Sequence, residues 1–442
     1  DTTNLYIPES DLSDNPRLSN GRIDMGAYEF QQTEDYVTLV YPYLREYLVS
    51  NLWDTIRWNT SLVSDGVDIL LSTDKGNSWT TIANDIQNTS YKWYVPEMVE
   101  DSCLLLVRNS HDNSTADTSN YYFRISPNYI PHGTLVSGTW KKEYSPYKIL
   151  GKALIPEDST LVIEPGVTIL MKVDTKQENI YSRNGGRIFA RGYLEALGTF
   201  NDPIIFTRMD DNGNWCFIEM TGSESSILQN CIIEYGGKSY NDEDAAYSAR
   251  FQYGSNIIIS KGIIKNCIIQ NSKYNGINCA TFGSCTFENN TFYNNTRAGL
   301  LLNWSDGNPI ENNNFIQNQI AIDNTTAYEY EINNCIFYNN DILVQENNKY
   351  SPFKYCSVDD TITTARNIEG NIQNNNPKFV NLDYNDFHLR NNSLCIDAGN
   401  PSDEYSNEPS PNGGRINIGA YGNTSEATIS PDFRLDKYDV ST

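Results

Sequence analysis

The chain has 442 residues, a formal net charge of −24, and 20% charged against 39% hydrophobic residues. That length is too great for one compact core and points to two or three domains, and the composition excludes a disordered chain. The acidic balance repels phosphate backbones and anionic lipid, which excludes nucleic acid and membrane surfaces as partners, and no apolar run approaches the ~20 residues a transmembrane helix needs.

Residues 1–32 come first. They carry Gly21-Arg22-Ile23-Asp24-Met25-Gly26-Ala27-Tyr28-Glu29, and the pattern returns 393 residues later as Gly414-Arg415-Ile416-Asn417-Ile418-Gly419-Ala420-Tyr421-Gly422. No charged stretch precedes an apolar one here, so no leader is expected within them. The expectation is that this segment is the tail of a preceding unit in a tandem array. Its apolar Ile23, Met25, Tyr28 and Phe30 would either fold on the next domain or dock on a neighbouring chain, head to tail; the alternative is that the segment is a plain linker.

Residues 33–128 read as a β-sandwich. Strand-like runs such as Thr55-Ile56-Arg57-Trp58 and Cys103-Leu104-Leu105-Leu106-Val107 recur between turn clusters. Within it, Ser72-Thr73-Asp74-Lys75-Gly76-Asn77-Ser78-Trp79 has the Asp-box form Ser-x-Asp-x-Gly-x-Ser-Trp. The Asp ties a tight turn, the Gly permits positive φ and the Trp anchors the returning strand, so a single copy predicts a structural hairpin. Tyr91-Lys92-Trp93-Tyr94-Val95-Pro96 and Tyr121-Tyr122-Phe123-Arg124-Ile125 resemble later strands of immunoglobulin-like modules found beside secreted bacterial β-helices.

Residues 129–427 carry a repeat. Asn-x-apolar-x-x-Asn occurs at Asn266–Asn271, Asn290–Asn295, Asn313–Asn318 and Asn334–Asn339, with a degenerate copy at Asn230–Tyr235. Taking the second residue of each as a marker gives 231, 267, 291, 314 and 335, then Cys356, in steps of 36, 24, 23, 21 and 21. A period near 22 with short strands rich in Ile, Phe and Tyr predicts a solenoid. The Leu-x-x-Leu-x-Leu frame of leucine-rich repeats is missing, and no helical period separates the strands, so a parallel β-helix fits. Asn271, Asn295, Asn318 and Asn339 are expected to stack as one turn ladder, with Ile232, Ile268, Phe292, Phe315 and Ile336 as one core stack. The step of 36 residues implies an insertion at Lys238–Arg250.

Leu161–Ile169, Gly192–Thr199 and Pro203–Thr207 resemble opening coils of bacterial right-handed β-helix proteins of the pectate-lyase-like superfamily. Pro377–Val380, Asp386–Leu389, Cys395–Gly399 and Gly414–Gly422 resemble their closing segment and terminal signature. The expected architecture is therefore all-β: a right-handed parallel β-helix preceded by an immunoglobulin-like β-sandwich, with residues 428–442 as a linker. Residues 133–424 are expected to form roughly a dozen coils, ~55 Å long, ended by the Gly414 signature as a cap.

Nine cysteines without a C-x-x-C pair, and only three histidines, argue against zinc. The odd count and irregular spacing argue against a disulfide framework, so the thiols read as small buried hydrophobes. For chemistry, the informative pattern is charge that coincides on adjacent coils. Lys273 and Arg297 each lie six residues after a marker, and Trp304, Asp306 and Asp323 follow. A base, an arginine, an aromatic and carboxylates would suit an acidic glycan; the same residues also read as solvated turns. Asp242, Glu243 and Asp244 are candidate ligands for Ca²⁺ or a solvated loop, and Asp210–Asn214 reads as a turn. Two functions remain open. One is an extracellular or cell-surface structural and adhesive protein, with polysaccharide or further copies of itself as partners. The other is a polysaccharide lyase or glycoside hydrolase acting in a β-helix groove.

Overall fold

The computed structural model describes residues 10, 35–43, 45–62, 65–174, 185–223, 225–237, 254–280, 285–303, 310–324, 330–346, 351–360 and 367–431. The repeated signature at 21–29 and the insertion at 238–250 lie outside them. The chain divides into two compact units, 1–127 and 128–442. Among the described residues no helix is long and apolar enough to cross a membrane.

In the first unit, Val37–Tyr41, Trp53–Thr60 and Ser90–Tyr94 form one sheet; Tyr47–Leu48, Phe123–Ile125, Glu100–Asn109, Val67–Ser72 and Thr80–Ile86 form a second. Alternation along Glu100–Asn109 buries Cys103, Leu105 and Val107, because successive strand side chains face opposite ways. They meet Val37, Leu39, Ile56, Trp58 and Trp93 of the other sheet in one core. The Asp-box is the predicted hairpin, joining antiparallel Val67–Ser72 and Thr80–Ile86. Asp74 Oδ1 accepts from Ser78 N at 2.8 Å, Asp74 Oδ2 accepts from Ser78 Oγ at 2.7 Å, and Gly76 turns at φ +91°. These bonds, chiefly those from Ser78, hold the Asp74 carboxyl below its ordinary range.

The second unit contains three parallel sheets of ten, nine and ten strands, built from every third strand of the chain up to the last strand, Asn367–Glu369, which follows Phe353–Lys354 after one intervening strand. We name them sheet A (Tyr129–Ile130 to Ser357–Val358), sheet B (Thr134–Leu135 to Ile342–Glu346) and sheet C (Gly138–Trp140 to Asn367–Glu369). The chain visits A, B and C once per turn, which is the strand order of a parallel β-helix. Ten strands make a stack of about 43 Å. That is shorter than the expected dozen coils, because after the parallel bridge from Ile372 to Ser357 the chain turns to the hairpin that begins at Phe379.

The true register corrects two expected columns by one residue. Ile233, Ile269, Phe292, Phe315, Phe337 and Val358 lie opposite one another in sheet A and form the core stack. Ile232 and Ile268 are half-buried on the outer face instead, since a one-residue shift turns a strand side chain over. The rings of Phe292, Phe315 and Phe337 stack at 4.8 and 5.0 Å, within 10° of parallel. The asparagine ladder splits likewise. Asn271 and Asn339 take left-handed φ of +51° and +54° in a column with Asn294 and Gln317. The inward amides one residue on are Asn295, Asn318 and Asn340. Asn295 N donates to Asn318 Oδ1 at 3.1 Å and Asn318 N to Asn340 Oδ1 at 3.0 Å. Their Nδ2 groups donate to Ile269 O, Phe292 O and Phe315 O.

The corner between sheets C and A repeats the device with mixed chemistry. Asn290 N donates to Asn313 Oδ1 at 2.8 Å, and Cys267 N donates to Asn290 Oδ1 at 3.0 Å. The thiols of Cys231, Cys267, Cys335 and Cys356 donate to carbonyls of Ala196, Leu228, Ile310 and Ile332 at 3.3–3.5 Å. All nine cysteines are buried, as the sequence predicts.

The terminal signature is not an end cap. Phe379–Asn381 and Asp386–Leu389 form a hairpin. Phe387, Leu389, Cys395, Ile396 and Ile418 pack with Ile316 and Ile336 on the outer face of sheet A. Gly419 N donates to Asn334 O at 2.9 Å, Ala420 N to Asn314 Oδ1 at 3.1 Å, and Asn289 Nδ2 to Gly422 O at 2.8 Å. A Cβ on Gly419 would stand 2.5 Å from Asn314 Oδ1, so only glycine passes there. The segment is a strap lying across several coils.

Candidate functional site

Sheet B carries the charge that the sequence singles out. Ile277 pairs with Leu300, which sets Asn275 opposite Ala298 and hence Tyr274 opposite Arg297 and Lys273 opposite Thr296. Lys273 and Arg297 are thus one residue out of register and do not stack as a pair. Lys273 is exposed, its Nζ 5.9 Å from the Tyr274 ring centre. Arg297 is committed elsewhere: Nη1 donates to Asn275 Oδ1 at 2.9 Å, and Nη2 donates to Asp323 Oδ2. Trp304, Asp306, Asp242, Glu243 and Asp244 lie outside the described residues.

Asp323 sits on the outward row of sheet B with Ile258, Asn278 and Leu301. Its side chain is 1% exposed, against 21% for Arg297. Burial pushes its carboxyl above the ordinary range, opposed by the Arg297 charge and hydrogen bond. Among the described residues Asp323 Oδ1 and Asn278 Nδ2 are buried without a hydrogen-bond partner, while Asn278 Oδ1 accepts from Asn303 Nδ2 at 2.9 Å. A buried pair of this kind adds little net stability, because desolvation offsets the attraction. Arg297 is thus already neutralised and the Asp323 carboxylate is shielded from water, while Lys273 beside them stays exposed.

A second cluster escapes sequence reasoning. His388 Nδ1 lies 2.6 Å from Asp386 Oδ1, and its Nε2 lies 3.6 Å from Glu426 Oε2. Its ring stacks on Tyr421 at 4.2 Å and 3°. Asp386-x-His388 is visible in the sequence, but Glu426 and Tyr421 arrive only when the strap folds back. The imidazole borders a cavity of about 160 Å³ edged by Phe200, Ile232 and Ile268. Its contacts join the hairpin to the end of the strap, which is a fastening role. Among the described residues no group of three or more His, Cys, Asp or Glu side chains could hold a metal ion.

Compared with protein-family models, with curated proteins and with solved structures, the chain finds no match in any of the three.

Proposed function

We propose that this chain is a secreted or cell-surface structural and adhesive protein, with a right-handed β-helix of pectate-lyase-like kind as a rigid rod and an immunoglobulin-like sandwich as its neighbour. Right-handedness follows the rule for parallel crossovers. The observation that carries the reading is where the polar groups go. Asn295, Asn318, Asn290 and Asn313 are buried and bonded to the coils above and below, and Arg297 is bound to Asp323 and Asn275. These groups stiffen the solenoid, and Arg297 and Asp323 are committed to each other rather than to a substrate. The repeated signature at 21–29 and 414–422 supports assembly of such units in series.

Incubation with a panel of uronate glycans tests this, following unsaturated product and new reducing ends. The expected result is adhesion to glycan-coated surfaces without turnover. Turnover that disappears in Arg297→Gln would overturn the reading in favour of a polysaccharide lyase.

A further inference from the structure

The sandwich carries a cleft of about 740 Å³, within the size range of small-molecule sites. It is lined by two arginines and three tyrosines with a single carboxylate, Asp101. Tyr47 and Arg124 are paired residues on adjacent strands. The Arg124 guanidinium lies 5.5 Å above the Tyr47 ring, and its Nη1 donates to Tyr47 Oη at 3.3 Å. Across the cleft, Arg45 lies 5.3 Å above the ring of Tyr121. Tyr121 and Tyr122 are 48% and 46% exposed, large rings left facing solvent.

The two arginines differ in what neutralises them. Arg124 meets Asp101 at 3.4 Å, but that carboxylate is 79% exposed, and such a pair is worth little. Arg45 meets the Tyr121 ring and, among the described residues, no carboxylate. Two guanidinium groups over tyrosines therefore confront one carboxylate in a chain of net charge −24. A planar guanidinium matches a carboxylate or sulfate through paired N–H donors, and flat tyrosine rings take the apolar face of a ring-shaped ligand.

We infer that this cleft binds an anionic saccharide, with the acid group on Arg45 and Arg124 and a sugar ring against Tyr121 and Tyr122. The inference goes beyond the proposed scaffold role by giving the ligand to the sandwich, and it does not depend on whether the β-helix is catalytic.

Calorimetric titration of the full chain tests it with three probes: trigalacturonate, a sulfated disaccharide and the neutral maltotriose. Saturable binding of at least one anionic probe is expected, with maltotriose about tenfold weaker or worse. The anionic arms tell carboxylate from sulfate. Arg45→Gln and Tyr121→Ala should each weaken binding about tenfold, while Lys273→Gln on the β-helix leaves it unchanged. Both side chains are exposed, and circular dichroism checks that each variant is folded. No saturable binding of either anionic probe, equal binding of maltotriose, or binding indifferent to both sandwich substitutions would overturn the inference. Scaffold failure would read out separately, as turnover sensitive to Arg297→Gln.

Discussion

At the corner after Thr291–Tyr293, Asn294 turns at φ +52° in solvent while its neighbour Asn295 is buried, 1% exposed, and bonded to the next coil. The first position asks for a residue that tolerates left-handed backbone; the second asks for an acceptor and a donor on a short arm. Asparagine answers both. Where the second position is Ser272, too short to reach across the corner, Asn256 supplies the amide from sheet B, donating to Ile233 O and Gln270 O at 3.1 Å. The residues opposite Asn256 on later coils are Gly276 and Gly299. A Cβ there would stand 3.1 and 3.3 Å from the Nδ2 groups of Asn295 and Asn318. Substitution should separate the two positions. Asn318→Leu removes the acceptor for Asn295 N and the amide donor to Phe292 O, at a cost of ~1–3 kcal/mol. Asn339→Gly keeps its backbone conformation and should stay within about 0.5 kcal/mol of the parent. Thermal melts of the two variants decide it, and equal losses would mean that the inward ladder contributes nothing special.

The strap is an element whose role depends on long-range contacts. Its period and its ending were partly legible: the 21–24-residue steps give a parallel solenoid, and the strand residues alternate as expected. The register was not, because asparagine occupies two adjacent turn positions and the repeat pattern caught Asn271 in one and Asn295 in the other. Counting from Cys267 and Thr291, which are not equivalent, then misplaced Lys273 against Arg297. Contacts such as Asn289 to Gly422, 133 residues apart, leave no local trace at all. Glu408 gives the strap a pH signature. It is 5% exposed, its Oε1 accepts from Asn417 N and Asn423 N at 2.8 and 2.9 Å, and its Oε2 has no partner. Burial pushes this carboxyl above the ordinary range, with the two N–H bonds opposing. The folded state therefore holds the proton more tightly than the unfolded one, and this site gains stability as pH falls through the raised value toward the ordinary one. Glu408→Gln keeps the acceptor and adds a donor. It should melt higher than the parent near neutrality, with the gap narrowing on acidification. A gap independent of pH would show that Glu408 does not titrate in that window.

At the scale of the whole chain, each unit has a core of its own. Val37, Trp58, Leu105, Phe123 and their neighbours close one within residues 37–125. The column from Ile233 through Phe292, Phe315 and Phe337 runs through the other. Cooperativity follows shared cores, because removing part of a packed interior loosens every residue that touches it. In the β-helix each coil buries its apolar side chains only against the coils above and below, so a defect spreads along the stack and no further. Calorimetry should therefore resolve two transitions. Trp58→Ala, emptying a site 1% exposed, removes about 3–5 kcal/mol from the sandwich and should lower one transition while leaving the other in place. Phe315→Ala, stacked between Phe292 and Phe337, should do the reverse by a similar amount. A single transition moved by both substitutions would mean that the two units unfold together.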